Sequence, residues 1–554
     1  MERNSIALFQ DEFSENGGDQ RHRLRRCFVP VEFPKPFLPP CILGVKYGKI
    51  AGCAKEETVM RIGFDHEKYA ELQSKKILER ISQFGGKLYM EFGGKLFDDF
   101  HASRVLPGFL PDSKMKMLLN LKDQVEIVIA INAEDIEAGK ERGDIGITYD
   151  ADVLRMIDEF RSFGFYVSSV VITRSRHQRA AGLFQNHLTS LGIQVYRHFP
   201  IENYHYDTNL IVSDKGFGAN EFIETTRPLV VVTAPGPGSG KMAVCLSQLY
   251  QEHARGYQAG YAKFETFPVW DLPLEHPVNM AYEAATADLN DVNMPDPYHL
   301  RAYGVPAVNY NRDIEIFPVL QRVFEKIYGS VPYQSPTDMG LNTISSCIID
   351  DEACRIAAEK EILRRYSNTR CMYMQGKAEK TAVDKISSVI SKAGISEDIR
   401  PVLTAARKKA AQCHLPAMAM ELPGGEIVTG TGKTSDLVGP SAALILNALK
   451  TLAGIGDGVK LISPTVIEPV QTLKTKYLAG HNPRLHSDEV LLALSICAAT
   501  DEQARKAMEA LPLLKGCDAH STVILPQVDE AIFRRLQVNI SCDPQYQNHK
   551  LYHR

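Results

Sequence analysis

The 554-residue chain has no apolar run of the roughly 18 residues that a bilayer-spanning helix needs, so no transmembrane helix is expected. It has no basic excess. The formal net charge of -4 argues against bulk binding of nucleic acid, whose partners usually carry a basic stripe. Eleven cysteines include no CxxC pair, which speaks against a zinc ribbon or a disulfide framework and for buried thiols in a reducing compartment. There is no Gly-x-Ser-x-Gly elbow, and no two histidines sit at i, i+4 in the acidic stretch that follows the glycine loop described below. Neither an internal repeat nor a low-complexity tract is evident. These absences leave a cytoplasmic protein with no membrane and no nucleic-acid partner as the expectation, a homo-oligomer being compatible with it. Length alone allows about two to four domains.

Residues 1–59 stand apart. They hold "RHRLRRCF" and a proline-rich "FPKPFLPPC" without helical periodicity. Early acids (Asp11, Glu12, Glu15, Asp19) fit a transit peptide poorly, so a disordered extension, or a start assigned too far upstream, is expected.

From Met60 the text alternates helix and strand. The amphipathic "EKYAELQSKKILERISQF" precedes strand-like "KLYMEFGG", and further strands are expected at "EIVIAIN", "YVSSVVITR", "IQVYRHF", "NLIVSD" and "PLVVVTAP". Near-continuous apolar strands separated by helices predict a parallel-rich layered α/β domain over 60–325. Residues 326–412 read as a helical subdomain. Residues 413–554 read as a smaller α/β unit: a hairpin turning at Gly424-Gly425, a helix "PSAALILNALKTLAG", a strand "VKLISP", a helix "SDEVLLALSICAA" and a strand "STVILP". Its layout resembles cytidine-deaminase-like domains, but the His-x-Glu and Pro-Cys-x-x-Cys signature of their zinc site is missing, and no zinc site is recognised.

One stretch points to chemistry. "PLVVVTAPGPGSGKMAVCLSQLY" is a buried strand, a glycine-rich loop ending in Lys241, and a helix with Met242, Cys245, Leu246, Leu249 and Tyr250 on one face. Gly236, Gly238, Ser239, Gly240 and Lys241 thus stand where free N–H groups and the helix dipole favour a phosphate. A standard phosphate loop has Gly five residues before its Gly-Lys, and that place holds Pro235; Met242 replaces the hydroxyl that binds magnesium. The alternative is a tight strand-to-helix turn whose glycines only permit the backbone path. A second "GTGKTS" at 430–435 lacks both the upstream Gly and a long buried strand, and reads as coincidence.

Downstream, residues 263–299 gather acids and histidines. Glu265, Asp288 and Asp291 are candidate ligands for Mg2+ or Mn2+, and His276, His299 and Asp288 are candidate acid/base groups. Lys95 and Arg104 follow the first strand, at the end of a sheet where ligand loops gather; Arg484, His486 and His520 are further candidates in the third unit. The expected partner is a phosphorylated small molecule or nucleotide, and the expected chemistry is phosphoryl transfer or hydrolysis. A non-catalytic ligand-binding or scaffold protein, or a metal-dependent hydrolase without nucleotide, are the alternatives.

The stretches "KLYMEFGGKLFDDFHASRVLPGF", "VVVTAPGPGSGKMA", "AGYAKFETFPVWDLPLEHPVN", "VNYNRDIEIFPVL", "NPRLHSDEVLLALSICAAT" and "GCDAHSTVIL" resemble the bacterial family of domain of unknown function 1846, also called uncharacterised protein family 0371. The resemblance covers about residues 60–554. It implies a mixed α/β front part, a helical insert and a C-terminal three-layer unit of the cytidine-deaminase-like type. It also makes a hydrophobic residue after "GPGSGK" a family trait, and it brings no established activity.

Overall fold

A computed structural model describes residues 61–142, 145–289, 291–432 and 437–547. The expectation for residues 1–59 falls outside them, as does most of "GTGKTS" beyond Gly432.

The first sheet has six strands, all parallel: β1 (Leu88–Phe92), β2 (Val125–Asn132), β3 (Tyr166–Thr173), β4 (Gln194–Arg197), β5 (Leu229–Thr233) and β6 (Gly260–Phe264). Their order is β4-β3-β2-β5-β1-β6. Every residue of β1, β2, β5 and β6 is buried, as a sheet covered on both faces requires. Alternate side chains feed two cores. Leu88, Met90, Ile127, Ile129, Leu229 and Val231 face helices His66–Gln83 and Tyr149–Ser162, whereas Tyr89, Val128, Val230 and Val232 face helices Lys241–Ala254 and Asn311–Tyr328. Helices Asp351–Met374 and Lys380–Ala393 add Cys354, Ala358, Ile362, Ile386 and Val389 to the first of these cores.

A short antiparallel pair, β7 (Asn293–Pro295) and β8 (Val308–Tyr310), precedes helix Asn311–Tyr328. The second sheet is mixed, in the order β10-β9-β11-β12, with β9 (Ala417–Glu421), β10 (Ile427–Thr431), β11 (Asp518–Ser521) and β12 (Asn539–Cys542). Gly424 and Gly425, at φ 100° and 81°, turn the β9–β10 hairpin in a region that only glycine enters freely. Helices cover both faces: Val402, Leu403 and Ala406 of Pro401–Cys413 pack on Ala419, while Met418, Met420 and Ala519 pack into a core with helices Pro440–Leu452 and Ser487–Ala498.

Three strand expectations are corrected. In "NLIVSD" the structure has a helical turn, Thr208–Ile211, because Asp207 caps it by accepting from the Asn209 and Leu210 amides. "VKLISP" is irregular and buries only Leu461 and Ile462. Within "STVILP" only Ser521 belongs to a strand. β6 and β12 are strands that the apolar pattern did not mark, since Lys263 interrupts β6 and the polar Asn539 and Ser541 interrupt β12.

Among the described residues no helix is long and apolar enough to cross a membrane. Cys245, Cys347, Cys354, Cys371, Cys413, Cys497, Cys517 and Cys542 are free thiols, all but the last buried.

Candidate functional site

The chain leaves β2 for β3 on one side and leaves β5 for β6 on the other, so the sheet reverses direction between the adjacent strands β2 and β5. Carboxyl ends at such a reversal form a crevice in which ligands collect. The glycine loop lies there, between Thr233 and Lys241. Gly240 caps the helix in the left-handed region, at φ 85°, and Gly238 is at φ 77°. A Cβ at Gly236 would fall 2.1 Å from the Tyr149 hydroxyl. The loop's carbonyls are engaged: buried Ser239 donates its hydroxyl to the Gly236 carbonyl at 2.9 Å, and Thr173 donates to the Ser239 carbonyl at 2.8 Å. Its amides are not. From Gly238 to Met242 no backbone N–H meets an acceptor among the described residues, and neither does the half-buried Lys241 ammonium.

The next two strands, β1 and β6, end in a charged network. Tyr261 donates to Glu91 at 2.7 Å; Lys263 is hydrogen-bonded to Asp313 and ion-paired with Glu265 at 3.2 Å. Burial pushes the Glu265 carboxyl up to about 7, with Asp313 and Glu91 adding to the effect and Lys263 opposing it. Burial alone would lower Lys263, but Asp313 and Glu265 hold its ammonium well above the usual lysine range. Gly93 is small because a Cβ there would stand 2.6 Å from Glu265 Cγ. Lys263, Glu265 and Asp313 line a shallow cleft shared with Phe267, Trp270 and Asn342. No residue of the glycine loop lines it.

The predicted acid/base groups are placed differently. His276 caps helix Pro277–Ala285: its Nδ1 accepts from the Val278 amide at 3.2 Å, and its Nε2 lies 3.0 Å from Asp351, so both ring nitrogens serve the fold. His299 lies beside the cleft, 3.1 Å from the Ser335 hydroxyl and with its ring centroid 5.6 Å from that of Trp270. Asp288 is exposed. Two of the candidate metal ligands have other partners in the structure. Glu265 pairs with Lys263, Asp291 pairs with Arg312 at 2.7 Å, and no group of three metal-ligating side chains forms among the described residues.

Of the remaining candidates, Lys95 is exposed. Arg104 shares Glu361 with Arg364 and Arg365, at 2.9, 2.5 and 2.9 Å. His520 is fully buried, sharing a hydrogen bond with Ser541 at 2.9 Å and standing 3.4 Å from Asp543. That Ser-His-Asp set is structural: Arg400 donates to the Ser541 hydroxyl oxygen at 3.0 Å, and Ser541 is itself buried. Arg484 and His486 line a second cleft together. Sequence reasoning missed Lys263 and Asp313, which lie 50 positions apart; the available signal was a Lys-x-Glu on a strand with apolar neighbours.

The fold is a layered α/β protein whose largest sheet is parallel and six-stranded, with the Gly236–Lys241 segment between β5 and the following helix. Residues 62–394 match the family described as domain of unknown function DUF1846, N-terminal, and residues 398–552 match its C-terminal counterpart; the chain belongs to this family. Its similar relatives include a UPF0371 protein of Streptococcus pyogenes serotype M28 (strain MGAS6180), 56% identical over 491 residues that span 89% of this chain and 99% of that protein. A UPF0371 protein of Streptococcus equi subsp. zooepidemicus (strain MGCS10565) matches with the same identity and coverage.

Proposed function

We propose that this protein is an enzyme that binds a phosphorylated small molecule or nucleotide at Gly236–Lys241 and transfers or hydrolyses its phosphoryl group. One observation carries the reading: at the reversal of the sheet, a run of unsatisfied amides meets an unpaired lysine ammonium. Amides at the head of a 14-residue helix attract an anion through their donors and through the helix dipole. Lys241 adds a mobile positive charge. Pro235 and Met242 set the loop apart from a standard ATPase loop.

Phosphoryl transfer is catalysed mainly by positioning and by charge neutralisation. Glu265, poised near neutrality, suits the removal of a proton from an attacking water or hydroxyl, with Lys263 and Asp313 fixing its orientation. In this reading Glu265 takes the role expected of His276 and Asp288. A divalent ion fits poorly between Glu265 and Asp313, because Lys263 already occupies that position; Mg2+ or Mn2+ enters only as the counter-ion of the bound phosphate. The free thiols suit a reducing, cytoplasmic setting. The likeness of the C-terminal unit to cytidine-deaminase-like domains brings no zinc chemistry to the proposal.

A thermal-shift screen of nucleotides and sugar phosphates tests it. A ligand at about 100 times its dissociation constant stabilises by about 2.7 kcal/mol. Lys241→Ala should abolish the shift, and Glu265→Gln should keep binding while turnover is lost. A shift that survives Lys241→Ala, or no shift with any phosphate compound, refutes the assignment.

A further inference from the structure

Helix Asp351–Met374 carries Glu361, Arg364 and Arg365 at i, i+3 and i+4, a spacing that sets them on one face. The short helix Phe100–Val105 brings His101 and Arg104, also three apart, against Glu361. That helix follows the end of β1, so the cluster lies beyond the carboxyl ends of the strands, on the edge of the sheet that holds the glycine loop. It also borders the cleft of Glu265. The His101 ring stands edge-on to Phe267, with centroids 5.3 Å apart, and Phe267 lines that cleft.

One carboxylate serves all three arginines. Arg104 donates from Nε to Glu361 Oε2 at 2.9 Å, and Arg365 donates from Nε to Oε1 at 2.9 Å. Arg364 donates from Nε and Nη2 to the two oxygens, at 2.5 and 2.6 Å. The terminal nitrogens of Arg104 and Arg365, and Nη1 of Arg364, donate to no acceptor among the described residues. Nor are they sealed from solvent: the three side chains are 20%, 31% and 11% exposed, in that order.

Nearby acids do not make up the difference. Asp518 is gripped by Arg400 through two bonds, at 2.7 and 2.9 Å, and Asp288 is exposed without an ion pair among the described residues. Burial lowers the pKa of His101, so the ring stays neutral at neutral pH. Burial and then Arg364 push the Arg104 guanidinium down to about 9, which leaves it charged at neutral pH. Three guanidinium groups around one carboxylate therefore hold positive charge that the fold does not balance.

We infer that this arginine cluster binds a phosphate monoester on a small molecule, at a site separate from the glycine loop. A monoester carries close to two negative charges at neutral pH, which matches the excess of arginines over carboxylate, whereas a monocarboxylate brings only one. The free terminal nitrogens of Arg104 and Arg365 form planar forks suited to phosphate oxygens. Glu361 is the positioning residue. It holds the guanidinium groups by their inner edges and leaves the outer ones open. Binding here is independent of the reaction proposed at Gly236–Lys241.

The test uses the full chain carrying Lys241→Ala, which disables the glycine loop, with inorganic phosphate as the probe and acetate at equal ionic strength as the monoanion control. Titration calorimetry should detect phosphate and not acetate. Phosphate should bind about tenfold more weakly in Arg365→Gln and likewise in Arg104→Gln, the loss expected for one charge-assisted contact. Each variant leaves Glu361 two arginine partners, and the two residues sit on different helices, so one serves if the other fails to fold. Phosphate that binds no better than acetate, or folded variants that bind it as tightly as their parent, would make the cluster purely structural and overturn the assignment.

Discussion

Thr173 donates its hydroxyl to the carbonyl of Ser239 at 2.8 Å, tying the end of β3 to the middle of the glycine loop. The same side chain lies 3.1 Å from where a Cβ on residue 240 would stand, and residue 240 is at φ 85°. Gly240→Ala therefore meets both a steric neighbour and a left-handed backbone. It should destabilise by about 1–2 kcal/mol in urea unfolding. Thr173→Val leaves a buried carbonyl unpaired and should cost about 1–3 kcal/mol. Both should weaken phosphate binding, because the loop's amides lose their fixed direction.

Among the described residues Glu361 is the carboxylate that Arg104, Arg364 and Arg365 share in ion pairs, and its side chain is 1% exposed. Glu361→Gln leaves three guanidinium groups crowded without their counter-charge, and should destabilise by about 3–5 kcal/mol in equilibrium unfolding. Burial would raise the Glu361 carboxyl, but Arg104 and Arg364 overcome it and hold the group well below the usual range. The sign follows: its contribution is present above the unfolded pKa of about 4.3 and fades as pH falls toward the folded value. Acid unfolding of Glu361→Gln should lack that part of the pH dependence.

Glu265 works in the opposite sense. Its folded pKa of about 7 lies above the unfolded value, so its contribution to stability is full below about 4.3 and is lost as pH rises through 7. Unfolding free energies measured across that window should fall more steeply with pH in the native protein than in Glu265→Gln. Turnover, once a substrate is in hand, should rise with pH along a limb centred near 7, and Glu265→Gln should remove that limb. A limb unchanged in Glu265→Gln would assign the proton transfer to another group.

The parts legible in the sequence were those with local causes. β1, β2, β3 and β5 read as strands because both faces of the sheet bury them, and the Gly424-Gly425 hairpin read from its turn chemistry. "NLIVSD" failed because a three-residue apolar run fits a strand or a helical turn equally, and Asp207 decided between them by capping. The location of the glycine loop was legible; the roles of the charged groups were not. His276 looks the same on paper whether it caps a helix or moves a proton, and only its contacts with the Val278 amide and Asp351 distinguish the two. The Lys263–Asp313 contact joins a strand to a helix 50 residues later, a pairing that no local pattern encodes. Arg484 and His486 were noticed singly, but the cleft that joins them also needs Asp529 and the start of helix Pro440–Leu452.

The central claim is that the amides from Gly238 to Met242 wait for a phosphate. Amide hydrogen exchange, resolved to these residues and followed with and without the best phosphate compound from the thermal-shift screen, tests it most directly. The account predicts fast exchange in the free protein, strong protection of this run on binding, and loss of that protection in Lys241→Ala. Protection already present without ligand, or a bound phosphate compound that leaves these amides exchanging as before, would contradict it.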